Sequence, residues 1–157
     1  MKFIAIFLQF LATYFLMLSF MTFGFLQNKK MAEIFVENEN FDDIKTHFRI
    51  EHFGGIELNN FALTSHFMGF LGILISLTIC FLILRNVGKK WIFIMIIFLT
   101  NVFILYLKKF AKPTEWLDCN PLNIGIVPNV LITGILLISI ATILFYASKK
   151  SLKYMKK

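Results

Sequence analysis

The chain has 157 residues, of which 58% are hydrophobic, 17% aromatic and 16% charged, against about 45–50% apolar and about 25% charged in soluble domains. Twenty Phe beside four Tyr make a greasy surface rather than aromatics with a polar handle. That excludes an ordinary soluble domain of this length. The net charge of +7 does not signal nucleic acid, because the basic residues sit in short clusters between apolar runs, as in membrane proteins.

A bilayer core about 30 Å thick requires roughly 20 apolar residues in a helix. The first such run, 3–26, contains no charge. It is too long for a signal-peptide core, and Gln27-Asn28-Lys29-Lys30 follows it instead of a small-x-small cleavage site, so a retained anchor helix is expected. The loop 27–60 is long enough to fold. Residues 44–51, Ile-Lys-Thr-His-Phe-Arg-Ile-Glu, alternate apolar or Thr with charged or His, the period of a half-buried strand. Gly54-Gly55 reads as a turn, and Ile56-Glu57-Leu58-Asn59 alternates again. A small β-hairpin on the membrane surface is expected. The alternative is an amphipathic interfacial helix over 41–53, whose apolar stripe Ile50 and Phe53 interrupt.

Three more runs follow. The second is 61–84 and the third 91–107, the shortest, whose flanking lysines must snorkel. The loop 108–126 carries Pro113, Pro121 and Gly125 and should be irregular; the fourth run is 127–147. The expected fold is an all-α membrane protein, one domain over 1–157, with four transmembrane helices and a small β-hairpin in the first extracytoplasmic loop.

Orientation follows from the basic residues. Lys2, Arg85, Lys89, Lys90, Lys149, Lys150, Lys153, Lys156 and Lys157 crowd very short segments on one side. Lys29, Lys30, Lys45, Arg49, Lys108, Lys109 and Lys112 are spread over the other side, with all nine acids. The expectation is a multi-pass protein of the cytoplasmic (inner) membrane with both termini cytoplasmic and 27–60 and 108–126 outside.

Polar groups within the runs are costly in lipid. Asn101, beside Thr100, sits near the middle of the third run, where a helix–helix hydrogen bond to Ser76, Thr78, Thr133 or Ser139 is expected. Gly69, Gly72 and Gly134 read as close-packing points. No Asp, Glu, Lys or Arg lies in any span, which argues against a proton relay or charged transport path. His47, His52 and His66, with Glu51, Glu57 and Asp118, would need three members to converge on a metal; on a strand His47 and His52 face opposite ways, so no metal or cofactor is expected. There is no CxxC pair. Cys80 and Cys119 lie at different depths, against a disulfide. No GxSxG elbow offers a nucleophile.

One layout matches these features. Asn59-Asn60-Phe61-Ala62-Leu63 enters the second span, Thr100-Asn101-Val102-Phe103-Ile104-Leu105 lies in the third, Trp116-Leu117-Asp118 with Asn123-Ile124-Gly125-Ile126 fills the second loop, and Val127-Pro128-Asn129-Val130 opens the fourth. One helix, an outward segment and three further helices resemble lipoprotein signal peptidase (signal peptidase II), an aspartic membrane protease that removes the signal peptides of lipid-modified prolipoproteins. The resemblance implies that Asn59, Asn60, Asn101, Asp118 and Asn129 contact a substrate. It also implies a catalytic pair of carboxylates, one activating water and one protonating the carbonyl. Ile104 and Asn129 stand where those acids belong, and Asp118 alone is not a dyad. The expected function is therefore an inactive or divergent relative that recognises a lipidated or helical membrane protein, with the lipid bilayer as its setting. The alternative is a non-enzymatic subunit, accessory or immunity-type protein acting through its outer loop and helix faces. An outward polar cleft beside Asn101 and Asn129 favours the first; a closed bundle favours the second.

Overall fold

The computed structural model describes residues 2–37, 41–107, 113–118 and 124–153. These form seven α-helices: α1 (Lys2–Gly24), which runs into a 3₁₀ turn at Phe25–Gln27, α2 (Lys29–Glu37), α3 (Phe41–Ile50), α4 (Gly55–Ile83), α5 (Lys90–Leu107), α6 (Pro113–Asp118) and α7 (Ile126–Lys153). Four of them, α1 with its 3₁₀ turn, α4, α5 and α7, are long and apolar enough to cross a membrane. They coincide with the four apolar runs. At 1.5 Å per residue the 18 residues of α5 measure about 27 Å, barely the hydrocarbon thickness. The 29 residues of α4 measure about 43 Å, so its first turns project beyond it.

Helix α1 is the axis of the bundle. α4 and α7 pack along its length, and α5 lies against α4 and α1. The beginning of α1 and the end of α7 share one end of the bundle, where Gln9 Nε2 donates to Ser148 Oγ (3.0 Å) and the Ser148 hydroxyl donates to the Ala5 carbonyl (2.9 Å). On α4 a buried stripe of small residues, Ser65, Gly69, Gly72, Ser76 and Cys80, faces α1 at steps of four, three, four and four. Such spacing keeps one face of a helix small and lets backbones approach, the usual means of helix association in lipid. Ser65 Oγ donates to the Met21 carbonyl across the pair (3.0 Å), and the Thr13 and Ser76 hydroxyls bond to each other. A Cβ on Gly72 would lie 2.9 Å from the Leu16 carbonyl oxygen and 3.1 Å from Met17 Cα. The three glycines expected to mark close packing all do so: Gly69 abuts Met21, Gly72 the α1 backbone and Gly134 the Phe23 ring. Gly24, against Ser65 Cα, is a fourth.

At the opposite end, α2, α3 and α6 form a cap that shares an apolar core with the bundle. Met31, Ile34, Ile44, Phe48 and Leu117 pack there with Phe25, Phe61 and Val130 from the bundle. Aromatic pairs join the two layers: Phe35 stacks on Phe61 with centroids 5.1 Å apart, and Phe25 meets Phe61 edge-on at 5.5 Å.

The expected β-hairpin is not what forms, and no strand occurs among the described residues. Helix α3 and the start of α4 occupy 44–59 instead, close to the interfacial-helix alternative. The reason is arithmetical. Ile44 and Phe48 are four apart, a spacing that fits both alternation and a helical face. Both are buried, whereas Ile50, whose position favoured a strand, is left exposed. Helix α3 then stops in a Schellman motif. Phe53 N–H bonds the Phe48 carbonyl (2.8 Å), His52 N–H bonds the Arg49 carbonyl (3.2 Å), and His52 takes φ 60°. The motif's hydrophobic contact is Phe48 against Phe53, centroids 5.4 Å apart. Gly54-Gly55 is thus not a hairpin turn but the start of α4, where Gly54 N–H donates to Glu57 Oε2 (2.7 Å). The second loop also departs from the irregular expectation, because 113–118 is helical.

Candidate functional site

The polar residues singled out in the sequence occupy three separate places. Asn101 is fully buried in the bundle, on the α5 face that also buries Ile97 and Leu105. Its Nδ2 donates to the carbonyl of Ile97 on its own helix (2.9 Å). Its Oδ1 has no partner among the described residues. The expected bond to Ser76, Thr78, Thr133 or Ser139 is absent, because those hydroxyls are used elsewhere. Ser76 pairs with Thr13 and Thr133 with Asn129, while Thr78 and Ser139 bond back to the carbonyls of Leu74 and Ile135. A hydroxyl that satisfies its own helix needs no partner across the bundle.

Asn129 lies one turn into α7, half-buried. Its Nδ2 donates to the Leu117 carbonyl near the end of α6 (2.9 Å), and its Oδ1 accepts from the Thr133 hydroxyl (3.2 Å). This amide clamps α6 onto α7, and the aromatic neighbours hold it there: Trp116 meets Phe15 of α1 edge-on at 5.7 Å. Asp118 is the last residue of α6, next to the clamped carbonyl; its side chain is outside the described residues. So are Cys119 and Asn123. Asn59 and Asn60 are exposed on the projecting first turns of α4, and the Asn60 carbonyl accepts the Thr64 hydroxyl (2.8 Å).

Among the described residues, two open clefts flank the cap, each of about 280 Å³. One lies between α3 and α4 and is lined by Lys45, Arg49 and Asn59 over an apolar floor. The other lies between α2 and the start of α7, lined by Glu33, Glu37 and Asn129. Their charges are opposite. The ion pairs Lys29–Glu33 (3.7 Å) and Lys30–Glu51 (3.3 Å) are solvent-exposed, and such pairs contribute about 0–1 kcal/mol.

Of the histidines, His47 and His66 each place Nδ1 against a carbonyl of their own helix, Asp43 (2.9 Å) and Ala62 (2.7 Å). Among the described residues no three His, Cys, Asp or Glu side chains converge. Sequence reasoning passed over Gln9, which is fully buried in α1 with Oε1 unpartnered among the described residues. The signal was available, since an amide in a charge-free apolar run is as costly there as Asn101 is in the third.

The chain matches no protein-family model, no curated protein and no solved structure.

Proposed function

We propose that this protein works by binding within the membrane, as a non-enzymatic subunit or accessory protein whose capped end and exposed helix faces carry the interface. The observation that supports this reading is the role of Asn129. It stands where the signal-peptidase resemblance would require an acid, and it is instead a structural clamp with both polar atoms engaged across α6 and α7. Asn101 is fully buried in the bundle. The folded cap, packed on the end of the bundle through a shared apolar core, offers a shaped surface for such an interface.

A second reading, recognition of a lipidated or helical membrane protein in the manner of a signal peptidase without its catalysis, draws on one feature. The 116–118 segment and Asn129, two of the patches behind that resemblance, are neighbours through the Leu117 bond. Purified full-length protein incubated in excess with a lipidated prolipoprotein peptide separates the readings. Under the first the peptide is neither retained nor cleaved; under the second it is retained intact. Cleavage that disappears in Asp118→Asn would contradict both and make Asp118 half of a catalytic pair.

A further inference from the structure

The cleft between α3 and α4 carries an inference independent of that reading. Lys45 and Arg49 stand one turn apart on α3, so both line the same wall. Arg49 has no ion-pair partner among the described residues. Among the described residues no carboxylate lines the cleft, in contrast to its acidic counterpart beside α7. The floor is apolar, made of Phe48, Phe53 and Leu58, and Asn59 closes one side. Gly54 and Gly55 form the lip. Neither has positive φ, and a Cβ on Gly55 would meet nothing within 4 Å. Neither conformation nor internal packing therefore demands glycine at 55, yet its lack of a side chain keeps the lip open.

The depth of the cleft decides what could fill it. Gly55 precedes Phe61, where the uninterrupted apolar part of α4 begins, by six residues, or about 9 Å of helix. The headgroup layer is about 5–8 Å thick on each side of the hydrocarbon. The cleft therefore sits at headgroup level, whichever side of the membrane the cap occupies. Beside it, Ile56, Leu63, Phe67 and Leu74 are exposed on α4 at steps of seven, four and seven, a single helical face. That face leads from the lip of the cleft down into the hydrocarbon, the path an acyl chain would follow below a bound headgroup.

We infer that the α3–α4 cleft is a binding site for a phosphate-bearing anionic group, held by Lys45 and Arg49, with its source an anionic phospholipid whose chains lie along Ile56, Leu63 and Phe67. Point charges on Lys and the planar donor fork of Arg suit phosphate oxygens, and the apolar floor accommodates the first methylenes of the acyl chains.

The test is native mass spectrometry of the full chain in detergent, titrated separately with phosphatidylglycerol, phosphatidylcholine and inorganic phosphate. The parent should retain phosphatidylglycerol in preference to phosphatidylcholine. Lys45→Gln/Arg49→Gln should weaken that retention by roughly 10- to 30-fold, about one order of magnitude or slightly more for two cations near a lipid surface. Lys29→Gln/Lys30→Gln removes equal charge from the same end, but from side chains outside the cleft and paired with Glu33 and Glu51, and should change it by less than about 2-fold. Gly55→Leu, which fills the lip without touching charge, should also weaken it, with an unchanged melting temperature showing an intact fold. Equal losses in both double variants would overturn the site in favour of diffuse attraction. Retention of phosphatidylcholine equal to phosphatidylglycerol would overturn the anionic preference. Binding of inorganic phosphate as strong as that of the lipid would overturn the lipid source.

Discussion

His52 shows how much a single residue's conformation can settle. At φ 60° it occupies the left-handed position that closes a Schellman motif, where glycine carries no Cβ penalty. His52→Gly should therefore be neutral or stabilise the protein by up to about 1 kcal/mol, and His52→Val should destabilise it by at least about 1 kcal/mol. Reversible unfolding in detergent micelles reads both. Asn101 makes the complementary case. One of its two polar atoms is unpaired among the described residues and the other bonds only its own helix. Interhelical bonds in membranes average about 0.6 kcal/mol even when they form. Asn101→Leu should thus cost less than about 1 kcal/mol and stabilise if Leu packs well against Ile97 and Leu105. Asn101→Asp must ionise or take up a proton in lipid and should lower stability by about 2 kcal/mol or more. Outright unfolding of Asn101→Leu with Asn101→Asp tolerated would mean that the residue lines a wet cleft.

Individual helices divide into those legible in the sequence and those that were not. The four spans were legible because hydrocarbon imposes one rule on every residue, and length alone then sets the boundaries. The close-packing glycines were legible for a related reason: lipid supplies no hydrophobic drive between helices, so small residues mark contacts. Helix α3 was not, because Ile44 and Phe48 satisfy both periods and the contact of Phe48 with Phe35 on α2 is tertiary. The clamp by Asn129 was equally hidden, since nothing local pairs it with Leu117. Two predictions belong at this scale. Gly72→Ala drives a methyl into the α1 backbone, which cannot swing aside, and should cost about 1–3 kcal/mol. Gly69→Ala meets side chains alone, the flexible Met21 and the tip of Leu105, and should cost less than about 1 kcal/mol; the same unfolding titration ranks them, and an equal cost would contradict the backbone contact. In the cap, Phe48→Ala removes about 3–5 kcal/mol of packing. Hydrogen exchange should then show the α2 and α3 amides opening while those of α1 and α4 stay protected. Protection lost throughout would mean that cap and bundle are one cooperative unit.

The whole molecule joins a bundle built round α1 to a folded cap at the end remote from Lys2 and Lys153. Charge is distributed unequally between the two ends. Along the sequence, nine basic residues and no acid lie before the first span, between the second and third and after the fourth, against seven basic and nine acidic residues in 27–60 and 108–126. The positive-inside rule then predicts a cap outside and both termini in the cytoplasm. Everything proposed for the protein, an interface on the cap and an anionic headgroup beneath α3, depends on that four-span, capped arrangement. Single cysteines read it most directly, introduced at Asp43, Asn59, Gly88 and Lys150 in a Cys119→Ser background where buried Cys80 stays silent. All four positions are exposed, so labelling reports the side of the membrane and not burial. A membrane-impermeant maleimide applied to intact cells should label positions 43 and 59, and reach 88 and 150 only after lysis. Labelling of 88 and 150 in intact cells, or of 43 and 88 alike, would contradict the arrangement.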